Sequence, residues 1–197
     1  MDKPKQKIGL YFGSFNPIHI GHMAIANYML EFTDLNKVWF VISPHNPLKE
    51  KKSLLADYHR LEMVHQALED EYNMKASNIE FNMPQPSYTI DTLTWLDEKY
   101  PDKEFIVIMG GDSIESIHKW KNYEALLEEY KVYVYARPGA KHDSHKHEHI
   151  KIYHAPQMEI SASFIRNAIK DGKNIRYFLP KKVWEYIKEM HFYEKQS

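Results

Sequence analysis

The chain has 197 residues, 43% hydrophobic and 27% charged, close to globular averages, which excludes wholesale disorder and allows a sizeable core without staples. Its 26 basic and 27 acidic side chains leave a net charge of −1, without the basic surplus a general nucleic-acid binder uses to neutralise phosphates. The absence of cysteine excludes disulfides, thiolate metal sites and cysteine nucleophiles. No apolar run approaches the ~20 residues of a membrane span, and the charged start leads into only a short apolar strand. A cytoplasmic protein, folded as one domain over residues 1–197, is expected.

Ile8 to Phe12 reads as a strand ended by glycine. From Ile20 to Phe32 apolar residues recur at helical spacing, at Ile20, Met23, Ala24, Met29 and Leu30. Val38 to Ile42 is a continuous β-branched and aromatic run, typical of a strand buried on both faces. A polar segment with prolines follows, and Asp57 is expected to cap the next helix, with Leu61, Met63, Val64 and Leu68 as its apolar positions. Thr89 to Tyr100 predicts a helix stopped by Pro101, and Phe105 to Met109 a strand broken by Gly110 and Gly111. Tyr123 to Tyr130 predicts a short helix, Val132 to Tyr135 a strand, and Arg137-Pro138-Gly139 a turn. His142 to His149 is rich in charge and histidine, and reads as a solvated loop outside any site. Ser161 to Lys170 and Lys181 to Met190 predict two final helices. Strands alternating with helices imply crossover connections and a mainly parallel sheet, whose ligands bind beyond the carboxyl ends of the strands.

The densest chemistry therefore falls where it should, in the run from Gly13 to His22 that leaves the first strand and opens the first helix. Gly13 lets the backbone turn and approach a ligand. A helix N-terminus offers unpaired N–H groups and a positive dipole end to phosphate. His19 and His22, three residues apart, share one side of a helical turn and can donate to phosphate oxygens. Phosphate charge would favour their protonated form. Gly21 leaves room for a nucleotide against the backbone. A pair of surface histidines is the plainer alternative, and two histidines without a third ligand make a weak metal site.

The literal His19-Ile20-Gly21-His22 element resembles the signature of the nucleotidyltransferase superfamily, shared by class I aminoacyl-tRNA synthetases. The second, lysine- and serine-rich loop of the synthetases is absent. Further along come Pro44 to Lys49, Pro86-Ser87-Tyr88-Thr89, Gly110-Gly111-Asp112-Ser113 with Trp120 beyond, Arg137-Pro138-Gly139, and Ile160 to Arg166. In this order, from about Ile8 to Met190, they look like bacterial nicotinate-nucleotide adenylyltransferase. The chain departs from that pattern at Asn16, where the family usually has aspartate, and in Pro44 to Lys49, where it usually has a Pro-Pro-His-Lys segment.

The resemblance implies an α/β fold with a Rossmann-like doubly wound parallel sheet, helices on both faces and a small helical C-terminal part. It implies transfer of the adenylyl group of ATP to nicotinate mononucleotide, with Mg²⁺ accompanying the ATP. Neither nucleic acid nor membrane is an implied partner, and self-association of the chain stays open. His19, His22, Lys49 and Arg166 are the implied catalytic groups. Gly13, Ser14, Phe15, Gly21, Arg137, Ser161 and Ser163 join His19, His22 and Arg166 around ATP. Ser14, Phe15, Thr89, Gly110, Asp112, Trp120 and Lys121 line the pyridine nucleotide, with Trp120 stacking on the ring and Thr89 helping to hold the carboxylate.

Each position also has a plainer use. Ser161 and Ser163 suit helix capping as well as phosphate binding. Lys49 lies beside Lys51 and Lys52 in what reads equally as a solvated loop. Asp112 can accept from ribose hydroxyls or cap a helix, and Trp120 can be core. Arg60 reads as a surface ion pair as readily as a functional group. A nicotinamide-mononucleotide or other adenylyltransferase, and a non-catalytic nucleotide sensor, are the alternatives to the main reading.

Overall fold

The apolar runs form the strands of one sheet in the computed structural model, which describes residues 4–44, 54–136, 147–156 and 158–195. The strands are β1 (Gln6–Gly13), β2 (Lys37–Ile42), β3 (Met74–Ser77), β4 (Lys103–Gly110), β5 (Lys131–Ala136) and β6 (Ile150–His154). They pair in the order β3-β2-β1-β4-β5-β6, every neighbour parallel. Register sets Gly13 of β1 beside Ile42 of β2 and Tyr11 beside Ile108 of β4. The chain thus winds one way from β1 to β3 and the other way from β4 to β6. The reversal opens a crevice above the carboxyl ends of β1 and β4.

Period-two alternation divides the core into two layers. Val38, Phe40, Ile42, Ile106 and Ile108 face a layer containing Met29 of α1 (Ile20–Phe32), Met63 of α2 (Asp57–Ala67), Ile165 of α6 (Ala162–Lys170) and Val183 of α7 (Lys181–Glu189). Leu10, Val41, Val107 and Met109 face the opposite layer, with Leu93 of α3 (Thr89–Lys99), Ile114 of α4 (Gly111–Glu115) and Leu126 of α5 (Tyr123–Glu129). The helical C-terminal part packs into the first layer against α2. The doubly wound parallel sheet expected from the sequence is the observed fold.

Some elements lack a sequence signal for local reasons. The apolar pattern marks neither β3 nor β6: both are edge strands, and only Met74 is buried across the two. The single turn of α4 hides behind the glycines that end β4. Asp57 does not cap α2. It is the first helical residue, Ala56 occupies the capping position, and the Asp57 carboxylate pairs with Arg60 at 2.6 Å.

Candidate active site

The cleft above β1 and β4 has a volume of about 580 Å³. Gly13, Ser14, Phe15, His19, Gly21 and His22 line it from the β1–α1 segment. Gly110 and Asp112 enter from the end of β4, and Ser161, Ser163 and Arg166 from the start of α6. All of these are site residues on the sequence reading. Asn16, Tyr135 and Glu159, which that reading does not place at the site, also line the cleft.

The two imidazoles are stacked, with ring centroids 3.6 Å apart and planes inclined by 25°. The His19 N–H donates to His22 Nδ1 at 3.2 Å, one half of a capping box at the start of α1. With Nδ1 accepting, neutral His22 carries its proton on Nε2. His19 is 5% exposed, and burial lowers its pKa to about 4, so the free protein holds it neutral. Its Nδ1 is buried without a hydrogen-bond partner among the described residues. A charged pair at this stacking distance would be self-repelling, and an incoming phosphate would relieve that repulsion.

Gly21 makes the stack fit. A Cβ there would lie 3.1 Å from His19 Nδ1 and 3.2 Å from His19 Cε1. Gly13 serves the other side, since a Cβ would meet the Phe15 ring at 2.8 Å. Phe15 has φ +43°, a left-handed conformation costly outside glycine. Its ring is buried in the core among Tyr11 and Phe40 and presents an edge to His22 at 5.2 Å. It supports the histidine from below.

The strained loop is braced by residues distant in sequence. Arg166 Nη1 donates to the Asn16 carbonyl at 2.8 Å, and Nη2 to Ser163 Oγ at 3.1 Å. Asn16 Oδ1 accepts from Tyr193 at 2.8 Å and from the Leu55 N–H at 3.3 Å. An aspartate could accept both, so the asparagine keeps the same framework. Ser161 caps α6 by accepting from the Phe164 N–H at 3.1 Å, and this N-terminus opens on the cleft.

Arg60, which the sequence leaves undecided, is fully buried. It donates to the carbonyls of Ser14 at 2.6 Å, Ser43 at 2.9 Å, Leu55 at 3.1 Å and Pro44 at 3.3 Å, and to Asp57. It thereby ties the ligand loop of β1 to the segment leaving β2. No spacing rule could have signalled this, because its partners are main-chain carbonyls.

Thr89, Trp120 and Lys121 are not among the residues that line this cleft. Lys121 pairs with Asp91 at 2.8 Å and lies 4.8 Å above the Tyr88 ring. Trp120 and Tyr88 are half-buried against the second core layer. Thr89 is the first residue of α3, and the side chain of Tyr88 at its N-cap position makes no capping bond. Lys49, Arg137 and residues 142–146 of the histidine-rich segment lie outside the described residues.

Residues 10–168 match the family model described as cytidylyltransferase-like. A protein of Flavobacterium johnsoniae named "Probable nicotinate-nucleotide adenylyltransferase" is 54% identical over 96% of this chain and 100% of its own length. The chain belongs to the nicotinate-nucleotide adenylyltransferase family. A Bacteroides thetaiotaomicron protein of the same name is 43% identical, over 98% of this chain and 95% of its own. The nicotinic acid mononucleotide adenylyltransferase of Plasmodium falciparum, solved in complex with NaAD, shares the fold. It superposes with a TM-score of 0.81 at 22% identity, covering 95% of this chain and 97% of that one. Membership makes the chain a nucleotidyltransferase, whose H-x-G-H element is the stacked histidine pair.

Proposed function

We propose that this enzyme joins ATP and nicotinate mononucleotide into nicotinate adenine dinucleotide, releasing pyrophosphate. The observation that carries this reading is the His19–His22 stack at the start of α1, facing Arg166 and the serines of α6 across one cleft. Two helix N-termini and three basic side chains then converge on one volume suited to phosphates. A phosphate oxygen of the mononucleotide attacks the α-phosphorus of ATP. A new P–O bond forms there, and the bond to the bridging oxygen of pyrophosphate breaks.

The attacking oxygen is already ionised at neutral pH, so no general base is required. Catalysis rests on alignment and on charge stabilisation. His22 Nε2–H and the His19 imidazole would donate to oxygens around the reacting phosphorus. Lys49, Ser161, Ser163 and Arg166 would hold the triphosphate, and Arg137 the adenosine side. The described residues contain no cluster of three or more His, Asp or Glu that could cage a metal. Mg²⁺ would enter with the ATP phosphates and would neutralise charge that develops on them. Thr89 at the N-terminus of α3 suits a nicotinate carboxylate; Trp120 would stack on the ring and Asp112 would accept from the ribose. No helix among the described residues is long and apolar enough to cross a membrane, and we read residues 1–197 as one cytoplasmic domain.

The test is pyrophosphate release with ATP and Mg²⁺, comparing nicotinate and nicotinamide mononucleotides at equal concentration. A large preference for the nicotinate form is expected. Equal or reversed rates would keep the transferase chemistry and remove the carboxylate pocket, and binding of ATP without pyrophosphate release would mark a sensor.

A further inference from the structure

Among the described residues the family chemistry leaves one buried carboxylate unexplained. Glu80, in the 3₁₀ turn Ile79–Asn82 after β3, is 2% exposed. Burying a carboxylate is costly unless donors surround it. Thr92 Oγ1 donates to one oxygen at 2.9 Å and Ser87 Oγ to the other at 2.9 Å. The 3₁₀ turn that carries Glu80 packs against β2. Ser87 and Thr92 are themselves buried. The main chain of Glu80 is held too, since its carbonyl accepts from Gln85 Nε2 at 2.9 Å.

Ser87 and Thr92 bracket the start of α3. Between them lie Tyr88, Thr89 and Asp91, the residues that meet Lys121 and that open the helix. The carboxylate therefore grips both ends of this segment. Ser43, just past β2, ties that strand to the β1 loop: its N–H donates to the Gly13 carbonyl at 2.9 Å, and its own carbonyl accepts from Arg60.

We propose that Glu80 is a positioning residue for the pyridine nucleotide, holding Thr89 and the first turn of α3 at a fixed height above the sheet, in register with the β1 loop. This rests on the reading that places the nicotinate carboxylate at Thr89. Glu80 touches no substrate. Its hydroxyl donors Ser87 and Thr92 hold the segment to the 3₁₀ turn that packs against β2, so the carboxylate site and the phosphate site keep a constant separation. Burial raises its pKa above the ordinary glutamate value while the Thr92, Ser87 and Ser43 hydroxyls oppose that rise, as befits a carboxylate enclosed by donors.

The test is steady-state kinetics with each substrate varied in turn, on Glu80→Gln and on the milder Ser87→Ala. Glu80→Gln keeps the shape and one acceptor oxygen but turns an amide N–H₂ toward a hydroxyl. KM for nicotinate mononucleotide is expected to rise about tenfold, the scale of a weakened hydrogen bond to a charged group, with KM for ATP changing less than about twofold. Ser87→Ala should move the same parameter in the same direction by a smaller factor, and it provides the answer if Glu80→Gln does not fold. Equal changes in both KM values, or a lowered melting temperature with neither KM changed, would overturn the proposal. Thr89→Val separates this idea from the reading beneath it. If Thr89→Val raises KM for nicotinate mononucleotide and the Glu80 and Ser87 variants do not, Glu80 has no positioning role. If Thr89→Val changes nothing, the carboxylate site itself is misplaced and the proposal falls with it.

Discussion

Gly21→Ala separates the fold from the site in a single methyl group. The added Cβ would lie 3.1 Å from His19 Nδ1, whereas ordinary contact begins at 3.4 Å. The ring must therefore retreat by at least about 0.3 Å, in a close-packed surround that resists it. His22, stacked at 3.6 Å, limits that retreat, and Ile160 at 3.8 Å from the new atom does not compete for the space. Helix propensity works the other way, since alanine is favoured over glycine by up to about 1 kcal/mol inside a helix. The two effects nearly cancel in stability, and the melting temperature should stay within roughly 4 °C of wild type. Catalysis has no such compensation. Displacement of a positioned donor by a fraction of an ångström should lower kcat roughly tenfold to hundredfold. Calorimetry and pyrophosphate release on the same preparation read both quantities. An unchanged kcat would mean that the His19 ring position is immaterial. A melting temperature lower by about 10 °C would mean that Gly21 serves packing rather than the histidine.

Other outcomes follow from the same geometry. His22→Ala should lower kcat on the order of 10²–10³-fold, the scale for one preorganised donor, as measured by pyrophosphate release at saturating substrates. Arg60→Met leaves buried carbonyls unpaired and should cost about 3–5 kcal/mol, a drop of roughly 10 °C in melting temperature, with Arg60→Lys intermediate. His19, held near pKa 4 against 6.5 when unfolded, binds fewer protons folded than unfolded between those values. Its contribution to stability is complete above pH 6.5 and is lost as pH falls toward 4, on the order of 3 kcal/mol in all. Denaturant titrations of wild type and His19→Gln over that window should diverge by this amount, and parallel curves would refute the burial argument.

The features legible in the sequence were those with a local signature. β1, β2 and β4 announced themselves as apolar runs, and α1 by its periodicity, down to its ends at Ile20 and Phe32. Gly13 and the two histidines could be placed in the cleft because a glycine turn between strand and helix has only one place to sit in a parallel sheet. β6 escaped because an edge strand, paired on one side, tolerates lysine and histidine in its run. Arg60 and Glu80 escaped for a different reason. Their worth comes from partners on other elements, carbonyls for one and hydroxyls for the other, and an isolated charge in a sequence looks the same buried or exposed. Asn16 shows the converse: a departure from the family pattern that leaves the acceptor geometry intact.

The hydrogen bond from Tyr193 to Asn16 joins positions 177 residues apart. Asn16 lies in the loop that carries the histidines, and its carbonyl also depends on Arg166. During synthesis the sheet can assemble from β1 through β6 while these braces are still unmade. The phosphate loop will then exist as a chain segment without its final shape. Activity should arise only after residue 193 has cleared the ribosome, so a turn beyond α7 completes the motif that follows β1.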